Sequence, residues 1–272
     1  LHFYLLAALD YVKSPVAASP WTTAWDVDMR EGLEDVAAHL TDAVTARRQA
    51  HEMGAIFGGK MPSSHTFIPG GFTAVPTSQD ISEFRQHLSA LTSFIKNTYI
   101  PDVQTVGDEY SEYFGIGEGS GNLLAYGAFE MDDASSSKLF SAGYAQKGAE
   151  LIASNVKSSD IEESVKYSWY ADSTANLTPA TGKTDPQYPK GDAYSWLKAP
   201  RLQGNACEAG PLARMWINGD YQNGISVMDR HVARALEAEK IAIAMDSWLD
   251  ELTPGQKAYD DSFDQRSGVG VG

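Results

Sequence analysis

Six histidines (positions 2, 39, 51, 65, 87 and 231), one cysteine (Cys207) and scattered carboxylates are the side chains of these 272 residues that could bind a metal or move protons. A metal site on a helix needs pairs such as His-x-x-x-His or Glu-x-x-His, which put two ligands on one face. No histidine here has such a partner, so each reads as a solvated or internally satisfied side chain. The lone Cys207, in a stretch flanked by Gly and Pro, excludes an internal disulfide framework. It also excludes a cysteine-based zinc or iron–sulfur site built from this chain alone. Ser63, Ser64 and His65 are adjacent, but spacing alone does not make a nucleophile and its base. Asp132-Asp133 and Glu162-Glu163 are neighbours that point apart in regular structure, and they read as solvated charge. Gly115, Gly117, Gly119 and Gly121 suggest a phosphate loop, yet they precede a strand-like run and no Lys-Ser/Thr pair closes them. Asn176-Leu177-Thr178 fits a glycosylation acceptor. Residue types alone reveal no activity.

The elements that would position these side chains are clearer. With 43% hydrophobic and 21% charged residues the composition is that of an ordinary globular protein. The balance of 21 basic against 36 acidic residues, a charge of −15, excludes a nucleic-acid groove or an anionic membrane surface as the main partner. No apolar run approaches the roughly 18–20 residues of a membrane span. Residues 1–13 read as the end of an apolar helix stopped near Ser14-Pro15. A helix is expected from about Glu31 to Met53, then a long Gly-, Pro- and Ser-rich loop over 55–78. A second helical pattern runs from Ser78, its expected N-cap, to about Val106, with Ile81, Phe84, Leu88, Leu91, Ile95 and Tyr99 on one face and a division at Pro101. Leu123–Phe129 suits a strand that pairs with Lys138–Tyr144. From Gly224 to Leu252 the pattern is apolar on two sides, with Leu236 and Ile243 on one and Met245 and Trp248 on the other, as for a helix buried between neighbours. The expected fold is mainly α with small β excursions. It forms a single partial domain, helical over 1–110, mixed α/β over 111–215, with a long core helix over 224–252. The start without Met and the abrupt Gly-rich end lead us to expect a segment of a longer protein.

Five motifs in order along the chain resemble the large subunit of nickel–iron hydrogenases. His2-Phe3-Tyr4 with Leu6-Ala7-Ala8-Leu9-Asp10-Tyr11-Val12 is similar to the helix that follows that family's first cysteine pair. Gly58-Gly59-Lys60-Met61-Pro62 and Pro69-Gly70-Gly71-Phe72-Thr73 resemble its Gly-Gly-Lys-x-Pro-His loop and Pro-Gly-Gly. Tyr167-Ser168-Trp169-Tyr170 resembles its Ser-Trp-Tyr. Gly182-Lys183-Thr184-Asp185-Pro186 and Tyr194-Ser195-Trp196-Leu197-Lys198-Ala199-Pro200-Arg201 resemble the stretch ending in Trp-x-Lys-x-Pro. Glu208-Ala209-Gly210-Pro211-Leu212-Ala213-Arg214 resembles its Glu-Val-Gly-Pro-Leu-Ala-Arg.

The resemblance implies the long buried helices of that large-subunit fold and reversible oxidation of dihydrogen. It further implies a nickel–iron centre with diatomic ligands, an iron–sulfur small subunit that takes the electrons, and a periplasmic or membrane-associated location reached through that subunit. The family's two Cys-x-x-Cys pairs, which hold the metals, and its catalytic arginine have no counterpart here, and Arg201 does not inherit that role. No catalytic residue or metal ligand is therefore expected in this segment, and no metal bound by it alone. By resemblance His2, Lys60, Pro62 and Ser63 would surround the metal centre, where donors toward the sulfurs tune it. Ser63 replaces the family's histidine, so a hydroxyl would donate instead of an imidazole. Lys60 reads equally as a helix-end salt bridge. Two alternatives remain: a metal-free relative like the core subunit of respiratory complex I, and an inactive scaffold piece.

Overall fold

In the computed structural model, residues 1–6, 33–132, 136–146, 151–153, 156–260 and 262 are described. They belong to two compact units, Leu1–Ile116 with Arg230–Gln265, and Gly117–Asp229 with Arg266–Gly272. The expected helix beyond Leu6, Trp21, Trp25 and Asp133 lie outside the described residues.

Apolar periodicity builds the first unit from α1 (His2–Leu6), α2 (Leu33–Ala38), α3 (Leu40–Gly58), α4 (Ser78–Phe94) and α5 (Ile100–Glu109). The single helix expected over 31–53 is two helices parted at His39, and the second passes Gly54 to end at Gly58. The N-cap of α4 is Thr77 rather than Ser78. Thr77 Oγ1 accepts from the Asp80 amide at 3.1 Å, and Asp80 accepts from the Thr77 amide at 2.9 Å. Spacing decides this: three residues past Thr77 stands a carboxylate, whereas three past Ser78 stands Ile81, which cannot reciprocate. Pro101 divides the next pattern without breaking it. A π turn over Ile95–Tyr99 restarts the ladder, with the Ile100 amide on the Ile95 carbonyl, so Pro101 falls in the first turn of α5, where no N–H is needed.

Met53, Leu88 and Ala242 form a core with Phe84, Leu91, Ile95 and Met245 packed against it. Ala242 lies on α7 (Val227–Asp250), which belongs to this unit from Arg230 onward. Helix α7 is buried on two sides, as its pattern predicts, but Leu236 and Ile243 lie on neither of them. At roughly 100° per residue, Met228, Ala235, Ala242 and Leu249 share one buried face, and Ala233, Glu237 and Ala244 share a second, roughly opposite. Leu236 and Ile243 fall between the two faces, half-buried and 52% exposed respectively.

Within 55–78, expected as loop, β1 (Phe67–Ile68) and β2 (Gly71–Phe72) form a hairpin, and the late strand β8 (Ala258–Tyr259) pairs antiparallel with β2. This explains Pro69-Gly70-Gly71. Both glycines have positive φ, and a Cβ on either would stand 2.2 Å from a carbonyl oxygen of Ala258 or Asp260.

In the second unit, β3 (Leu123–Glu130) pairs antiparallel with β4 (Lys138–Ala145), which pairs with β5 (Leu151–Ala153). Leu123 and Ala145 pack on Ala213 of α6 (Pro211–Ile217), with Trp216 and Ile225 beside them. A two-stranded sheet joins β6 (Ile161–Ser164) to β7 (Ala199–Leu202). The glycine-rich 115–121 turn leads into β3, the reverse of a phosphate loop.

Candidate functional site

Helix α3 stops where Gly59, at φ 77°, takes the left-handed conformation and its amide reaches the Ala55 carbonyl at 2.8 Å. The chain then folds back over the helix end. The His65 amide donates to the Gly58 carbonyl at 3.1 Å, and the Thr66 hydroxyl donates to the Phe57 carbonyl at 2.5 Å. Only glycine permits this approach, since a Cβ on Gly58 would stand 2.6 Å from Ser64 Oγ, and one on Gly59 2.6 Å from His65 Nε2.

Lys60, Pro62 and Ser63 are carried at the exposed tip of this fold, Pro62 after a cis peptide and Ser63 with φ 65°. Three of the four residues named from the sequence thus share one loop, and His2 is exposed on α1. Lys60 forms no ion pair among the described residues, so the salt-bridge alternative has no support there.

Behind His2, its two neighbours are buried. Phe3 meets Tyr4 edge-on at 5.2 Å between ring centroids and lies 5.7 Å from Tyr99 and 5.6 Å from His231. The Tyr4 hydroxyl donates to Asp102 Oδ2 at 2.6 Å, and His39 Nδ1 lies 2.8 Å from the same oxygen. Asp102 is only 6% exposed, and burial raises its carboxyl above the ordinary 3.8 despite the opposing hydrogen bonds from Tyr4 and His39. The Tyr4 phenol is pushed far up, by burial first and then by Asp102. This arrangement clamps α1 to α5 and to the break at His39. Residue-type reasoning missed it, although Asp102 continues the stripe of Ile95 and Tyr99 three residues on, and a carboxylate in an apolar stripe is a legible signal.

In the second unit two lysines hold the remaining motifs. Lys190 Nζ donates to the Val165 and Tyr170 carbonyls at 2.8 and 2.7 Å and pairs with Asp172 at 2.6 Å. Lys198 Nζ donates to Glu163 at 2.9 Å and to the Lys183 carbonyl at 2.8 Å. Arg201 turns to its neighbour's carbonyl, Pro200 O at 2.7 Å. Cys207 is half-buried, its Sγ 3.7 Å from the Asn205 carbonyl, and burial pushes its thiol up, away from the thiolate that a soft metal needs.

No group of three His, Cys, Asp or Glu side chains among the described residues could hold a metal ion. One protonated thiol does not fit a thiolate-held nickel–iron centre.

A family model described as nickel-dependent hydrogenase matches residues 24–269. The chain belongs to the nickel-dependent hydrogenase family. Among its relatives, it is 32% identical to the periplasmic [NiFeSe] hydrogenase large subunit of Desulfomicrobium baculatum, covering 95% of this chain and 57% of that protein. It is 30% identical to the uptake hydrogenase large subunit of Azotobacter chroococcum, over 80% of this chain and 41% of the relative. The fold agrees with the as-isolated oxidised Ni-Fe-Se hydrogenase of D. vulgaris Hildenborough at a TM-score of 0.84 and 34% identity, covering 96% of this chain and 59% of that one. Against the reduced, active Ni-Fe-Se hydrogenase of Desulfomicrobium baculatum the TM-score is 0.83 at 31% identity, covering 96% and 60%. This member of the nickel-dependent hydrogenases therefore spans less than two thirds of these relatives' length.

Proposed function

We propose that this chain is the framework of the catalytic subunit of a nickel–iron hydrogenase, which oxidises dihydrogen reversibly and passes the electrons to an iron–sulfur small subunit in the periplasm. The observation that carries the reading is the fold agreement across 96% of the chain at 34% identity, supported by a periplasmic relative. Among the described residues no helix is long and apolar enough to cross a membrane.

The metal ligands then come from outside the residues described. In this reading His2 and the loop bearing Lys60, Pro62 and Ser63 face the centre, which carries diatomic ligands on iron. The glycine-determined turn at Gly58 and Gly59 holds that loop, and the Tyr4–Asp102–His39 clamp holds the helix that presents His2. The test is nickel content and dihydrogen-dependent dye reduction by the chain as it occurs in its native complex. One nickel per complex with dye reduction is expected. A complex with neither overturns the proposal.

A further inference from the structure

Two asparagines of the sequence precede glycine, Asn218 before Gly219 and Asn223 before Gly224, and both lie in the second unit. In such a pair the glycine amide nitrogen, unshielded by a Cβ, can attack the asparagine side-chain carbonyl carbon. Asparagine is among the thermolabile residues. Attack needs an amide N–H free to lose its proton and a side chain free to swing over it. As sequence the two sites are alike. The fold separates them.

Asn218 is fastened on every side. It ends α6 at helical angles, φ −80° and ψ −9°, with its amide on the Arg214 carbonyl at 3.0 Å. Its Oδ1 accepts from the Ser141 amide at 3.3 Å, and its Nδ2 donates to Asp220 at 2.8 Å. The Gly219 amide, the nucleophile such a reaction would use, donates to the Trp216 carbonyl at 3.1 Å. Asn223 is held by far less. It stands exposed in the irregular stretch before α7, and its side-chain amide bonds to the Tyr221 hydroxyl. Among the described residues no backbone carbonyl accepts from the Gly224 amide.

The surroundings of Asn223 leave little room for change. The Tyr221 hydroxyl donates to Asp229 Oδ1 at 2.6 Å. Asp229 is 2% exposed in the first turn of α7, and its Oδ2 has no hydrogen-bond partner among the described residues. A Cβ on Gly224 would stand 2.7 Å from that oxygen, so the chain has no slack there. Ser226, also buried, accepts the Asp229 amide on Oγ at 3.0 Å.

We propose that Asn223 is a site of spontaneous deamidation whose product loosens the first turn of α7. The Gly224 nitrogen bonds to Asn223 Cγ and gives up its proton as the side-chain nitrogen leaves as ammonia. Water then opens the succinimide ring. Opening at the side-chain carbonyl gives aspartate. Opening at the backbone carbonyl gives isoaspartate, whose main chain runs through Cγ and is one atom longer. Aspartate replaces a donor toward Tyr221 with a second carboxylate near Asp229, and like charges so placed oppose each other. Isoaspartate displaces Gly224 where it already abuts Asp229. None of this depends on the hydrogenase reading.

Peptide mapping by mass spectrometry tests the proposal on the purified native protein, incubated at mildly alkaline pH, and on the same chain unfolded in urea. In the folded protein the acid products at 223 should exceed those at 218 at least tenfold. In urea the two sites should agree within about threefold. Equal loss at both sites in the folded protein, faster loss at 218, or no product at either overturns the proposal. So does a tenfold difference that survives in urea, because flanking sequence and not the fold then causes it. Aged wild type should exchange its Asp229 amide hydrogen faster than fresh protein. Asn223→Gln, whose ring closure is disfavoured, should show no such ageing, and Asn223→Asp should melt below Asn223→Gln. Unchanged exchange on ageing, or coincident melting of the two variants, overturns the loosened turn.

Discussion

The hydroxyl of Tyr4 and the carboxylate of Asp102 meet at 2.6 Å across 98 residues of sequence, both buried, with His39 on the same oxygen. A buried carboxylate stripped of a donor keeps its desolvation penalty and loses its compensation. Tyr4→Phe preserves the ring contacts and removes only the donor, so it should cost about 1–3 kcal/mol in a denaturant series. Asp102→Asn in the Tyr4→Phe background should recover part of that loss. Equal stability of wild type and Tyr4→Phe would show the clamp to be dispensable.

The π turn and the clamp mark where sequence reading reached its limit. Regular periodicity exposed α4, α7 and the pairing of β3 with β4, because each depends on contacts within a few turns or one hairpin. His39 and Asp102 are 63 positions apart, and no local pattern joins them. The bridge of Ser168 to Ser195 is equally hidden, since it needs two irregular segments to lie side by side. The loop carrying Lys60, Pro62 and Ser63 is legible from its Gly, Pro and Ser content, but its conformation is not; the packing of Ser64 and His65 on two glycines accounts for the motif.

His231 gives the clamp's neighbourhood a pH dependence. Burial, followed by the charge of Arg234, lowers its folded-state value below the ordinary 6.5. A depressed value means that its stabilising contribution is present above 6.5 and is lost as pH falls through that range. Wild type should therefore lose stability as pH falls below about 6.5, and His231→Phe, which keeps an aromatic ring against Phe3, should flatten that part of the curve. Parallel curves for the two proteins in urea titrations would exclude the effect.

At Gly71 the demand is steric. A Cβ there would stand 2.2 Å from the Ala258 carbonyl oxygen, at φ 146°. Gly71→Ala should separate β2 from β8 and cost about 2–4 kcal/mol, combining backbone strain with lost packing. Gly115→Ala meets nothing within 4 Å and should change stability by less than about 0.5 kcal/mol. Thermal melts of the pair decide it, and similar melting points would contradict the close approach.

Two positions on α7 separate its faces. Leu249 is buried and Ile243 is 52% exposed. Leu249→Ala should cost about 2–4 kcal/mol and Ile243→Ala under about 1 kcal/mol in the isolated chain. Comparable costs at both sites would place Ile243 on a buried side of the helix, as the apolar pattern suggests.

Cys207 is the one thiol in the sequence, and its surroundings argue against a metal role. Burial raises its thiol above the ordinary value, so a proton occupies the position a metal would take. Its Sγ has the Asn205 carbonyl at 3.7 Å, an acceptor suited to a thiol and not to a thiolate. Tyr144, Val156 and Leu202 form the apolar cluster against which it packs. Nickel bound by thiolates needs soft, deprotonated sulfur, and no second, third or fourth thiol exists on this chain to share the ion. Cys207→Ala should leave the nickel content of the native complex unchanged and cost about 1 kcal/mol in stability through lost packing. Elemental analysis beside a denaturant series reads both quantities. Loss of nickel at unchanged stability would make Cys207 a ligand and refute the framework role assigned to this chain.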